Sequence, residues 1–267
     1  MSGYRDILPA ATPAPVEEFI EAADVRIERA QQVAHEAVVH PAVARRRSRR
    51  FLTVALTLLV GYLALLLAIR ARPDSRTDRV VTVRLQRMDG RRMQRLMHAT
   101  SWLGFRPQSL LLPMTAIGSA WVLRFRVEAL FLAGAWASSL ISFLSKLVVR
   151  RPRPSGPLIR VVTADIRDTS FPSGHTVHYV TFWGFVTYLI FTLAESPLLR
   201  WGAVAVAAPV IALVGVSRVY LGHHWLSDVV ASYLLGFAYL IGLVSLYQRV
   251  MERARQRPAG ARGRRRA

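Results

Sequence analysis

Two short runs carry most of the reactive side chains in this chain. Residues 171–176 read FPSGHT and residues 217–228 read SRVYLGHHWLSD. In the first, Pro172 followed by Ser173, Gly174 and His175 fits the start of a helix, where backbone N–H groups lack partners and the dipole favours an anion. The glycine allows close backbone approach, the Ser173 hydroxyl adds a donor, and His175 stands in the first turn. Such an assembly suits a phosphate. In the second run His224 and Asp228 lie four apart and share a face on a helix. The carboxylate can then accept from one imidazole nitrogen and leave the other free as a base or nucleophile. His223, five residues from Asp228, points elsewhere.

A third run, KLVVRRPRP, begins at Lys146. Of the 36 basic residues, 35 are arginine and Lys146 is the single lysine, which marks a place for a compact ammonium on a flexible stem. Lys146, Arg153, Arg218, Ser173 and the Gly174 amide could together surround a phosphoryl group and stabilise its charge in transfer. Two histidines beside it can divide the work of nucleophile and general acid. Arg150 and Arg151 stand near enough to take the place of Arg153. His178, three residues beyond His175, reads as a packing neighbour of the site.

The elements that must position these groups follow from composition. The chain has 267 residues, 52% of them hydrophobic, yet a net charge of +20. A membrane protein combines the two readily, because its charges collect in loops and tails. Stretches without Asp, Glu, Lys or Arg run 51–69, 107–123, 129–145, 169–194, 201–217 and 229–248. A helix needs roughly 17–25 residues to cross the hydrocarbon core, so an all-α polytopic protein with six transmembrane helices is expected. The first stretch lies too far into the chain for an ordinary signal peptide. The absence of cysteine excludes disulfides and thiolate chemistry. The arginines are spread along the loops without aromatic interleaving, which points to anionic lipid headgroups and not to nucleic acid.

Three regions are expected: an N-terminal segment 1–50 with one helix over 16–40, a six-span unit 51–248, and a basic tail 249–267. Residues 70–106 read as a partly helical interfacial segment whose apolar component is Val80, Val81, Val83, Leu85, Met88, Met93, Leu96 and Met97. With six antiparallel spans, the end of the third, the start of the fourth, the end of the fifth and the start of the sixth share one membrane face. All three reactive runs fall there. The face with the termini holds 19 Lys/Arg against 17, and three of those 17 belong to the candidate site. The positive-inside rule therefore favours cytoplasmic termini.

The runs K-x6-R-P (Lys146 to Pro154), P-S-G-H (Pro172 to His175) and S-R-x5-H-x3-D (Ser217 to Asp228) resemble the three-part signature of the type 2 phosphatidic acid phosphatase superfamily. That group includes bacterial lipid phosphate phosphatases, undecaprenyl pyrophosphate phosphatases, glucose-6-phosphatase and vanadium haloperoxidases. The resemblance covers 146–228 in its motifs and 51–248 in its spans. It implies a phosphatase acting on a membrane lipid phosphate or diphosphate, such as phosphatidic acid, phosphatidylglycerol phosphate or undecaprenyl pyrophosphate. It further implies that His224 attacks phosphorus to form a phosphohistidine, that Asp228 orients it and that His175 protonates the leaving oxygen. Lys146, Arg153, Ser173, Gly174 and Arg218 would hold the phosphoryl oxygens, with no metal and no cofactor. A lipid phosphotransferase using the same site, or a non-enzymatic lipid-binding or transport protein, are the alternatives. Bacterial members imply a plasma-membrane location, termini in the cytoplasm and a site open to the periplasm or exterior.

Overall fold

In hydrocarbon every backbone N–H and C=O must be satisfied within its own segment, so long uncharged runs fold as helices. The computed structural model describes Val25, residues 41–162 and residues 169–256. Its helices are α1 (Pro41–Ala71), α2 (Arg76–Gln86), α3 (Arg91–Ser101), α4 (Gln108–Val122), α5 (Arg126–Val149), α6 (Gly174–Leu193), α7 (Pro197–Tyr220) and α8 (Leu226–Arg255). No strand occurs among the described residues, and the fold is all-α. Apart from Val25, the expected helix over 16–40 lies outside the described residues, as does the tail from 257 onward.

Among the described residues five helices are long and apolar enough to cross a membrane: Arg50–Ala71, Arg126–Val149, Gly174–Leu193, Pro197–Tyr220 and Leu226–Ala254. The protein is a multi-pass membrane protein. The expected second span is α4, which has only 15 residues and holds Pro113 within it. At 1.5 Å per residue it reaches about 22 Å, short of the ~30 Å hydrocarbon core. The described residues therefore provide five helices of crossing length and a shorter one, α4, packed on α5. Leu63 and Leu67 on α1, Leu140, Phe143 and Leu144 on α5, and Val206 on α7 remain exposed, as lipid-facing residues do.

Two larger apolar clusters, and a smaller one at Met97, hold the described helices together. Phe182, Phe185 and Leu189 of α6 pack on Leu132 and Ala135 of α5 and on Tyr247 and Met251 of α8. Nearer the reactive end, Tyr62 and Ile69 of α1 meet Phe171, Val177 and, on α8, Ala231 and Leu235. The Tyr62 ring stacks on Phe171 at 6.0 Å and its hydroxyl donates to Ser145 Oγ at 2.7 Å. Helix α1 thereby buttresses the turn that leads into α6. Within α6, Tyr179–Trp183 form a π-helical turn, and Tyr179 donates to the Thr100 carbonyl at 2.7 Å.

Within residues 70–106, Arg76–Gln86 and Arg91–Ser101 are helical, and the face of α2 packed on the protein is polar. On α2 the buried residues are Asp78, Thr82 and Gln86, one per turn, while Val80 is exposed. Met88 and Leu96 are exposed too, and of the expected apolar set only Met97 is fully buried, against Tyr220 and Leu221. The reason is what α2 docks on. It lies over helix ends whose polar groups need partners. Gln86 Nε2 donates to the carbonyls of Arg160 and Tyr220 at 2.7 and 2.9 Å, and its Oε1 accepts from Arg160 N at 2.9 Å.

Candidate active site

Lys146 closes α5, Ser173 and Gly174 open α6, Arg218 closes α7, and Asp228 stands in the first turn of α8. These helix ends converge with the loops at 150–162 and 221–225. Gly222, at φ +73°, makes the second loop possible, since a Cβ there would lie 2.2 Å from the Arg160 carbonyl oxygen.

His224 sits in that loop, 3% exposed. Its Nδ1 lies 2.6 Å from the Ser170 carbonyl oxygen. A carbonyl can only accept, so Nδ1 carries the proton and Nε2 carries a free lone pair. Nε2 faces Arg153 Nη1 at 3.5 Å. Burial, followed by the charges of Arg153, Arg218 and Lys146, holds the His224 imidazole well below its ordinary range and keeps it neutral. A neutral, tautomerically fixed imidazole is what a nitrogen nucleophile requires.

Asp228 was expected to accept directly from His224. It stands 3.9 Å from Nδ1, and the hydrogen bond goes to Ser170 instead. The carboxylate is occupied elsewhere: Oδ2 accepts from the Trp225 backbone N–H at 2.9 Å and Oδ1 from Arg151 Nη1 at 2.6 Å. Arg151, 1% exposed, also donates to Asp78 at 2.7 Å, Ser227 Oγ at 2.7 Å and the Pro73 carbonyl at 2.9 Å. Four acceptors consume its guanidinium. Arg150 turns outward at φ 47° and ends α5. Of the three neighbouring arginines, Arg153 is the one that reaches His224, with its Nη1 also donating to the His223 carbonyl at 2.5 Å.

Lys146 Nζ donates to the Thr169 carbonyl at 2.7 Å, beside the Ser170 that fixes His224. Arg218 is buried, donates to Ser101 Oγ at 3.2 Å and to His223 Nδ1, and lies over the Phe105 ring. Its Nε has no partner among the described residues. His223 Nε2 in turn meets the Val162 carbonyl at 2.7 Å. His223 thus braces Arg218 and leaves His224 to face the other cations.

Ser173 is the N-cap of α6, its Oγ accepting from Thr176 N and Thr176 Oγ1 at 3.5 and 3.0 Å. Among the described residues a Cβ on Gly174 would meet only Ser142 Oγ, at 3.6 Å, an ordinary contact distance. His175 packs edge-on against Phe105 with ring centroids 5.2 Å apart, and its Nε2 is buried without a partner among the described residues. His178 is 6% exposed and stacks on Phe182 at 5.4 Å, which is the packing role expected of it.

The PAP2 superfamily model matches residues 128–252. Phosphatidylglycerophosphatase B of Bacillus subtilis is 33% identical over 156 residues, which cover 56% of this chain and 73% of that protein. The chain belongs to the PAP2 superfamily. The chain is also similar to decaprenylphosphoryl-5-phosphoribose phosphatase of Mycobacterium tuberculosis, 32% identical over 39% of this chain and 52% of that protein. Lipid phosphate phosphatase delta of Arabidopsis thaliana is 34% identical over 34% of this chain, which spans about a quarter of the plant protein. The crystal structure of a transmembrane PAP2-type phosphatidylglycerolphosphate phosphatase from Bacillus subtilis shares the fold, with a TM-score of 0.61 at 20% identity, covering 73% of this chain and 96% of that one.

Several groups that build this PAP2 site lie outside the motifs. Ser232 Oγ accepts from Ser173 N at 2.7 Å and donates to the Asp228 carbonyl at 2.6 Å, joining the second motif to the third. Ser170 acts through its backbone, which has no signature in sequence. Asp78 could have been found: Asp78, Thr82 and Gln86 recur at helical spacing within an arginine-rich segment.

Proposed function

We propose that this PAP2 protein is an integral-membrane lipid phosphate phosphatase working through a phosphohistidine on His224. The observation that carries the reading is the His224 imidazole, with its Nδ1 proton committed to the Ser170 carbonyl and its Nε2 lone pair turned toward Arg153. Nε2 attacks phosphorus, the N–P bond forms, and the bond to the lipid oxygen breaks. His175, whose Nε2 is buried without a described partner, gives its proton to that oxygen. Water then attacks phosphorus, His175 takes its proton, the N–P bond breaks with its electron pair returning to His224 Nε2, and inorganic phosphate leaves.

Lys146, Arg153 and Arg218 supply the positive charge that phosphoryl transfer requires, and Ser173 and the uncrowded Gly174 amide supply neutral donors. With these cations in place the reaction is proposed to run without a metal. Asp228 acts on His224 through charge at 3.9 Å and through its hold on the first turn of α8. The relatives' names favour a phosphorylated lipid, of the phosphatidylglycerol phosphate or polyprenyl type, and the motif resemblance adds phosphatidic acid as a candidate. The proposed setting is a bacterial plasma membrane, with the termini cytoplasmic and the site facing outward.

The exposed arginines of α2, of α3 and of the turn between them, Arg84, Arg87, Arg91 and Arg95 among them, supply positive charge suited to anionic headgroups. Neutralising these four should raise the apparent KM for a lipid substrate in vesicles, and an unchanged KM removes that role. The central test is phosphate release from a panel of lipid phosphates by detergent-purified protein, with and without EDTA. Activity that resists EDTA, is inhibited by vanadate and disappears in His224→Ala is expected. Full activity in His224→Ala, or complete loss with EDTA, would refute the mechanism.

A further inference from the structure

Asp78 lies 68 residues before Lys146, outside every motif, yet it is built into the site. It is 2% exposed. Its Oδ2 accepts from Arg151 Nη2 at 2.7 Å and from Ser227 Oγ at 2.6 Å, and its Oδ1 accepts from Ser227 N at 2.9 Å. Ser227 N is one of the backbone donors left open at the start of α8, so a carboxylate on α2 completes the cap of another helix. Arg151 gives its other arm to Asp228, and its guanidinium lies 5.7 Å from the Trp225 ring centre. Two carboxylates thus share one buried guanidinium.

The sum of charges in this cluster decides what His224 experiences. Arg151 paired with Asp228 alone would cancel its charge, and a neutral pair exerts little field on the imidazole 3.9 Å away. Asp78 takes up the guanidinium charge and leaves one net negative charge beside His224. Forming a bond at Nε2 makes the imidazole cationic, in a site where Arg153, Arg218 and Lys146 already oppose positive charge on it. A preorganised negative charge on the Nδ1 side stabilises that developing cation.

We propose that Asp78 is a positioning residue for phosphoryl transfer: by balancing Arg151 it keeps the charge of Asp228 available to His224, and through Ser227 it fixes the first turn of α8. This rests on the phosphohistidine reading above.

The Asp78→Asn variant keeps the shape and the acceptor for Ser227 N but removes the charge. Its kcat for phosphate release should fall about tenfold with KM within about twofold, the scale of one partly screened charge acting on a transition state. Asp78→Glu, which keeps the charge, should stay within about threefold of wild type. Adding Arg151→Gln to Asp78→Asn should recover several-fold in rate, because Asp228 again stands unbalanced; a purely structural role predicts that the double variant is worse than either single one. Vanadate binding, followed by vanadium NMR on the detergent-purified protein, reports on the same charge without substrate. Wild type should bind, His224→Ala should not, and Asp78→Asn should bind about tenfold more weakly. Tight vanadate binding and unchanged kcat in Asp78→Asn overturn the role of Asp78 and leave the phosphatase reading intact. Asp78→Glu losing as much as Asp78→Asn also overturns it, as does a double variant without recovery. A wild-type protein that neither binds vanadate nor releases phosphate overturns both.

Discussion

His224 Nδ1 lies 2.6 Å from the carbonyl oxygen of Ser170, so a main-chain group selects the tautomer that leaves Nε2 unprotonated. The acceptor cannot be deleted by changing a side chain. It moves only if the 169–173 turn moves, and that turn is held by Ser170 N on the Arg151 carbonyl at 2.8 Å, by Ser170 Oγ on the Pro152 carbonyl at 3.0 Å and by Ser232. Reactivity of His224 therefore depends on how firmly the turn is seated.

The two adjacent arginines, Arg150 and Arg151, should separate cleanly. Arg151→Ala leaves the Asp78 and Asp228 carboxylates buried and uncompensated and should cost about 3–5 kcal/mol of stability. Arg150→Gly removes an exposed side chain at a left-handed position, where glycine is preferred, and should leave stability within about 0.5 kcal/mol or raise it slightly. Thermal unfolding in detergent measures both, and equal losses would contradict the roles assigned here.

Gly104 approaches His175 so closely that a Cβ would fall 2.2 Å from the ring Cδ2. Gly104→Ala should displace the proposed acid and lower kcat by about 10–100-fold, with a smaller change in KM. A variant with wild-type kcat would show that the ring position is not critical to proton transfer.

The acid side of the stability profile should carry the signature of His224. Its folded-state pKa is depressed from the ordinary 6.5 by burial and by Arg153, Arg218 and Lys146. Below about 6.5 the unfolded chain takes up a proton that the folded state refuses, so the contribution of this group is full above 6.5 and is lost as pH falls. Melting temperature should therefore drop on acidification more steeply for wild type than for His224→Gln. Parallel profiles would mean that the imidazole protonates as readily folded as unfolded.

Lys146→Arg tests whether the single lysine has a chemical reason. Its ammonium reaches the Thr169 carbonyl at 2.7 Å, and a flexible point charge can follow the phosphoryl group between the leaving oxygen and His224. A fall in kcat of about tenfold or more is expected, since a planar fork does not replace a compact donor there. Near wild-type kcat would make the lysine an accident of composition.

The helices and the convergence of their reactive ends were legible because both depend on local properties: apolar run length, and the placement of Lys146, Ser173, Arg218 and His224 at the ends of those runs. The span count was less so, because α4 has 15 residues although the uncharged stretch is longer, and Pro113 adds no signal of where the helix stops. The inward face of α2 was not legible because hydrophobic periodicity assumes an apolar partner, whereas Asp78 and Gln86 meet a guanidinium and open carbonyls. The hydrogen bond from His224 to Ser170 was out of reach, since 54 residues separate the two and the acceptor is a peptide group. Spacing alone assigned that proton to Asp228, which the geometry gives to Arg151 and Trp225.

The Ser232 hydroxyl has a practical consequence. Because it fastens the Ser173 turn directly to α8, the site does not rely on the α6–α7 hairpin to bring its two histidines together. The turn at 194–196 stands at the far end of both helices, a full helix length from His175 and Arg218. A fluorophore or affinity tag grafted there should leave the reactive end undisturbed.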